Sequence, residues 1–146
     1  MISFVCGQLC SGKTLYSEAL RVASPNKKLI CVEVGDIVRG LKKSIDRKVL
    51  QNSKELSKYI IDTLKLEQQR FGEIVVSGVR QKEILEAFPE ATLLWIECPK
   101  EVRKQRYLAR QRQGDNQTFE EAEQGDKDLG ILEVKQYIYK QNEYIS

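Results

Sequence analysis

The sequence predicts an α/β domain: a parallel sheet of about five strands between two layers of helices. Three observations carry that expectation. Short apolar, β-prone runs alternate with helix-compatible stretches along the chain, the pattern of parallel strands joined by crossover helices. The runs are nearly continuous in apolar residues, as strands buried on both faces are. A glycine-punctuated turn joins the first run directly to the first helical stretch. At 146 residues the chain fits a single domain spanning 1–146, by the prior of roughly 100–200 residues per domain.

Each element has a local reason. Ile2-Ser3-Phe4-Val5-Cys6 reads as the first strand and Leu15 to Val22 as a helix. Ser24-Pro25-Asn26 supplies a turn before a second strand, Lys28 to Val34. Lys54 to Arg70 reads as a long helix with Ser53 as its N-cap. Leu56, Ile60 and Leu64 share one face of it, with Ile61 beside them, and Phe71-Gly72 breaks it. Glu73 to Ser77 is a third strand, Gln81 to Phe88 a short helix, and Ala91 to Cys98 a fourth strand stopped by Pro99. Lys100 to Arg112 is helical and runs into the polar loop Gln113 to Gln117. Thr118 and Glu121 have capping-box spacing for another helix. Leu129 to about Gln141 reads as the last helix, and Glu143 to Ser146 as the start of a fifth strand.

Composition excludes several classes. Lysine and arginine number 24 against 21 acids, a net charge of +3. That balance argues against binding long nucleic acid and leaves room for local phosphate pockets. No apolar run reaches the ~18 residues of a membrane span, and no basic segment precedes a long apolar run as in a signal peptide. The four cysteines are Cys6, Cys10, Cys31 and Cys98, and there is no histidine. A zinc site is therefore not expected. Cys6, Cys31 and Cys98 fall in apolar runs and are expected as buried thiols, which points to a reducing, cytoplasmic compartment.

The turn carries the chemistry. Gly7-Gln8-Leu9-Cys10-Ser11-Gly12-Lys13-Thr14 spells G-x-x-x-x-G-K-T between a strand and a helix, the pattern of a phosphate-binding P-loop. Glycines let the backbone close around an anion without a Cβ clash. Successive N–H groups then form a nest, and the following helix adds unpaired N–H groups and its positive dipole end. ATP is the expected ligand, with Lys13 reaching the β- and γ-phosphates and the Thr14 hydroxyl ligating Mg²⁺.

Ligands of parallel sheets sit beyond the carboxyl ends of the strands. Gly35-Asp36-Ile37-Val38-Arg39 follows the second strand and Gly78-Val79-Arg80-Gln81 the third. The helix after the fourth carries Arg103, Arg106 and Arg110, at spacings that put all three near one side. Phosphoryl transfer spreads negative charge over the moving group, so catalysis is mostly positioning plus cationic stabilisation. Arginine suits this because its fork binds two phosphate oxygens at once.

These segments resemble nucleoside monophosphate kinases, the group that includes adenylate kinase. In that family an N-terminal P-loop is followed by Gly-Asp-x-x-Arg, here Gly35 to Arg39. A Gly-x-x-Arg-like segment follows a central strand, here the one-residue-shorter Gly78-Val79-Arg80, and a helix with arginines four apart leads into a lid. The chain is most similar to a compact branch with archaeal dephospho-CoA-kinase-like proteins and phage deoxynucleoside monophosphate kinases. Asp115, Asp126 and Leu129-Gly130-Ile131 fall where that branch has its lid and a Leu-Gly-Ile segment. The resemblance implies a three-layer P-loop NTPase fold, an acceptor-binding helical segment over 35–70 and a lid-like segment over 111–128. It implies that Asp36, Arg39, Arg80 and Gln81 bind the acceptor, and that Lys13, Arg106 and Arg110 act on the transferring phosphate. Three departures stand out. Ser77 occupies a position where adenylate kinases often carry Asp, Gly125 one where the family often has arginine, and relatives continue beyond the position of Ser146.

The expected activity is transfer of the ATP γ-phosphoryl group to a nucleoside or deoxynucleoside monophosphate. The partners are small nucleotides, and homo-oligomerisation is left open. One alternative is a kinase of a small hydroxyl metabolite or coenzyme precursor with Asp36 as general base. Another is a nucleotide-binding module with weakened turnover. No Asn-Lys-x-Asp guanine motif is present.

Overall fold

A computed structural model of the protein describes residues 1–25, 29–44, 53–110 and 117–143. Four strands, β1 (Ile2–Gly7), β2 (Ile30–Glu33), β3 (Ile74–Ser77) and β4 (Thr92–Ile96), form an all-parallel sheet in the order β2-β3-β1-β4. Seven helices accompany them among the described residues: α1 (Lys13–Ala23), α2 (Val34–Ser44), α3 (Ser53–Phe71), α4 (Lys82–Glu86), α5 (Lys100–Arg110), α6 (Phe119–Leu129) and α7 (Ile131–Glu143).

The layering follows from strand alternation, which sends successive side chains to opposite faces. Ile2, Phe4 and Cys6 of β1 and Ile74 and Val76 of β3 point to one face. There they pack against Ile60 and Leu64 of α3, Ile84 and Leu85 of α4, and Ile131, Val134 and Ile138 of α7. Val5 and Val75 point to the other face and meet Leu20 of α1 together with Leu29. Helices thus cover both faces, as the near-continuous apolar strands require. Leu56, Ile60, Ile61 and Leu64 all pack into the larger core, as their spacing on α3 predicts.

Local signals place several boundaries. Gly72, with φ 78°, ends α3. Thr118 caps α6, accepting from the Glu121 N–H while the Glu121 carboxylate accepts from the Thr118 N–H. Gly130, with φ 114°, closes that helix in the left-handed conformation that glycine tolerates best, so α6 and α7 meet there rather than at Leu129.

Other expectations need correction. β2 stops at Glu33 because Val34 already begins α2. β4 is shorter than Ala91 to Cys98, and Cys98 lies beyond it. Cys6 alone of the four thiols is buried, while Cys10, Cys31 and Cys98 are half-buried. Ser53 is the first residue of α3 rather than a residue before it. Glu143 belongs to α7, and the rest of the expected fifth strand, 144–146, lies outside the described residues, as does the first third of the expected lid, 111–116, while the remainder of that segment, from Phe119 on, is α6. No helix of the described residues is long and apolar enough to cross a membrane.

Candidate active site

The register of the sheet brings the carboxyl ends of all four strands to one edge. Ser77 pairs with Val5 and with Glu33, and Gly7 with Ile96. A cleft of about 830 Å³ opens at that edge.

Leu9 to Thr14 of the glycine-punctuated turn line the cleft, and space demands the glycine that opens the turn. A Cβ on Gly7 would lie 2.3 Å from Ser11 Oγ and 2.9 Å from the Ile96 carbonyl. Gly12 caps α1 with φ 98°, and Cys10 sits at φ 61°, which non-glycine residues seldom adopt. Ser11 N–H donates back to Gln8 O at 3.1 Å, whereas the N–H groups of Cys10 and Gly12 find no acceptor among the described residues. The Ser11 hydroxyl is buried and also unpartnered. Orphaned donors at a helix N-terminus are what an anion-binding nest presents.

Lys13 begins α1, and its ammonium donates to the carbonyls of Gly7 (3.1 Å) and Gln8 (3.0 Å). Burial pushes its pKa down to about 8, the Arg80 guanidinium adds to that, and Asp126 pulls the other way. The sign of the pH effect follows. The folded chain holds this proton less tightly than the unfolded chain does, so stability rises as pH climbs from about 8 towards the ordinary lysine range. The charge expected to hold phosphate is lost over the same window. The expected result is that kcat/KM for ATP, which reports the free enzyme, falls as pH rises through about 8 while thermal stability does not fall. A kcat/KM that stays flat through that window would contradict the role of the ammonium.

Four arginines from three later segments line the same cleft: Arg39, Arg80, Arg106 and Arg110. Arg39, on α2, pairs with Asp36 and lies 3.9 Å from Glu33. Arg80 follows Gly78, whose φ of 87° turns the chain at the end of β3, and its Nε donates to Asp126 Oδ1 at 2.7 Å. Arg106 donates to the Cys10 carbonyl at 3.3 Å. Arg110 stacks over the Tyr107 ring at 5.6 Å. Thr14 is exposed at the cleft wall.

A second, more apolar cavity of about 310 Å³ adjoins the first and shares Gly35, Arg39, Gly78 and Arg80 with it. Val38, Leu56, Ile60 and Leu129 line it together with Gln81. The Gln81 side chain makes no hydrogen bond among the described residues, although the residue is buried.

Three placements differ from the sequence reading. Arg103 is 2% exposed and turns away from the cleft. It is drawn inward by Glu123 of α6, to which its Nη2 donates at 2.7 Å. Asp36 lines neither cavity, and its exposed carboxylate is taken up by Arg39. Glu33, not anticipated as functional, is the one carboxylate lining the larger cleft among the described residues. Its signal was available, because the last residue of a parallel strand stands at the ligand edge. A second strand read as far as Val34 hid it. Gly125 has open space at its Cβ position, and Asp115 lies outside the described residues.

Magnesium takes oxygen ligands, usually one or two carboxylates or hydroxyls plus substrate phosphates. The cleft offers the Thr14 and Ser77 hydroxyls and the Glu33 carboxylate, so the donor set fits that ion.

An all-parallel sheet whose first strand runs through a G-x-x-x-x-G-K-T turn into a helix defines a P-loop NTPase fold. The AAA domain family (AAA_18) matches residues 4–126, and the chain belongs to it. That membership supports kinase-type phosphoryl transfer or a related ATPase activity. No curated protein matches the chain. A chain in the solved "Structure of the Pnkp1/Rnl/Hen1 RNA repair complex" aligns with a TM-score of 0.67 at 12% identity, covering 93% of this chain and 45% of that one. The likeness is one of fold, and this chain spans less than half the length of that one.

Proposed function

We propose that the protein is an ATP-dependent phosphotransferase whose acceptor is a nucleoside or deoxynucleoside monophosphate. The observation that carries this reading is the convergence of Arg39, Arg80, Arg106 and Arg110 on the cleft lined by the P-loop. One phosphate needs the loop and Lys13. Two further pairs of guanidinium groups are more than a lone triphosphate requires, and they match a second phosphate brought in line with the first.

In this reading the γ-phosphate lies over Lys13 with Arg106 and Arg110 on its outer side. Arg39 and Arg80 hold the acceptor phosphate where the two cavities meet. The acceptor base then enters the smaller cavity, where the buried Gln81 amide has hydrogen-bonding capacity to spare and the walls are apolar. Thr14 and Glu33 would hold Mg²⁺, which supplies charge neutralisation across the β- and γ-oxygens. The acceptor oxygen is already anionic, so no general base is needed, in keeping with a chain without histidine. The hydroxyl-kinase alternative loses support, since Asp36, its proposed base, is engaged by Arg39 outside both cavities. A cytoplasmic setting fits free thiols.

The test is an ATP-consumption assay across all ribo- and deoxyribonucleoside monophosphates beside small alcohols and sugars. The expected result is product diphosphate with one or a few nucleotides and none with the alcohols. ATP binding without transfer to any monophosphate would overturn the proposal.

A further inference from the structure

We propose that Arg103 and Glu123 form a positioning strut that holds the phosphate loop in its anion-binding shape and ties it to α6. The inference rests on the reading that this loop binds ATP. It concerns a residue that lines neither cavity.

The Arg103 guanidinium is almost fully buried and joins three other pieces of chain. Its Nη2 donates to Glu123 Oε1 at 2.7 Å, its Nε to the Cys98 carbonyl at 3.2 Å and its Nη1 to the Leu9 carbonyl at 3.4 Å. The group lies 5.6 Å from the centre of the Phe119 ring at the start of α6. Glu123 is buried as well, with Lys100 at 3.5 Å as its second cation. Burial pushes the Glu123 carboxyl pKa up, but the Arg103 hydrogen bond and charge, with the charges of Lys100 and Lys127, together outweigh it and leave it lowered.

The bond to Leu9 bears on function through peptide geometry. In a planar trans peptide the C=O and the following N–H point in opposite directions. A Leu9 carbonyl held outward by Arg103 therefore sends the Cys10 N–H the other way, and that N–H has no acceptor among the described residues. The next carbonyl, that of Cys10, is held by Arg106. Between these two tethers lies the left-handed Cys10, φ 61°. A non-glycine residue stays in that conformation only where its surroundings over-determine it. Two successive carbonyls clamped from α5 supply that constraint. A lysine could neutralise Glu123 but lacks the fork that reaches the Leu9 and Cys98 carbonyls together.

The experiment separates shape from stability. In Arg103→Met a buried carboxylate loses its main partner, so thermal stability falls and ATP binding weakens together. In the double variant Arg103→Met, Glu123→Met both charges go, and such apolar replacements commonly recover stability. The expected result is a Tm near wild type with ATP Kd still weakened by about tenfold, the scale of a lost charge-assisted hydrogen bond. Arg103→Lys should likewise keep Tm and weaken ATP. Wild-type ATP affinity in a folded double variant would overturn the strut. If that variant does not fold, wild-type affinity in Arg103→Lys overturns it instead. Lys13→Ala, run in parallel, tells the two failures apart. If Lys13→Ala leaves ATP binding unchanged, the site reading fails; if Lys13→Ala loses binding while the Arg103 variants keep it, the strut alone fails.

Discussion

Lys13→Ala is expected to abolish measurable phosphoryl transfer while leaving the fold intact or slightly more stable. The ammonium is held on the Gly7 and Gln8 carbonyls of the loop and lines the cleft, within the reach of a lysine side chain from a phosphate bound there. Removing one preorganised group that stabilises transition-state charge costs about 10²–10³ in rate. In the proposed reading this group also neutralises ground-state phosphate, so ATP affinity is expected to fall with it. Stability should move the other way. A pKa held down to about 8 means that the fold strains against this charge at neutral pH. Alanine removes that penalty. A coupled kinase assay and a thermal melt on the same preparation check both halves. Near-normal turnover would remove Lys13 from the active site, and a large drop in Tm would make its role structural.

Arg80→Ala is expected to raise the acceptor KM by about 10–100-fold, the worth of a charged hydrogen-bonding pair lost from a half-buried site, with little change in the ATP KM. Arg80 stands on the wall between the two cavities, and Asp126 fixes its Nε so that the rest of the fork faces the cleft. Losing it also strands Asp126, whose second oxygen is already buried without a partner. The single variant should therefore melt lower, because breaking a buried pair leaves a charge uncompensated. Combining Arg80→Ala with Asp126→Asn should recover stability without restoring the acceptor KM. Equal rises in both KM values would argue against the acceptor-site placement.

What the chain disclosed in advance, and what it did not, divides by range. The P-loop is a run of eight residues whose requirements are local. Gly7 is needed by Ser11 four residues on, though also by Ile96 of β4, Gly12 by its own backbone, and Lys13 by position. The Thr118–Glu121 capping box and the Gly72 stop are equally short-range, and both stand where spacing puts them. Arg103 illustrates the opposite case. Spacing on α5 groups it with Arg106 and Arg110, but its direction is decided by Glu123, twenty residues on, which periodicity does not see. Asp36 was drawn off by Arg39 one turn along the same helix, a competition that a motif pattern does not register. Gln81 is expected at the acceptor site from the segment after the third strand, and Glu33 is within reach as the last residue of a strand; the cavities add that Glu33 lines the larger one and Gln81 the smaller.

The most direct test is a crystal of the protein soaked with ATP and Mg²⁺. The account predicts the triphosphate wrapped by residues 7–14, with Lys13 moved from the loop carbonyls onto phosphate oxygens and Arg106 and Arg110 closing over the terminal group. An empty loop with nucleotide bound elsewhere, or those arginines directed to separate surfaces, would contradict it.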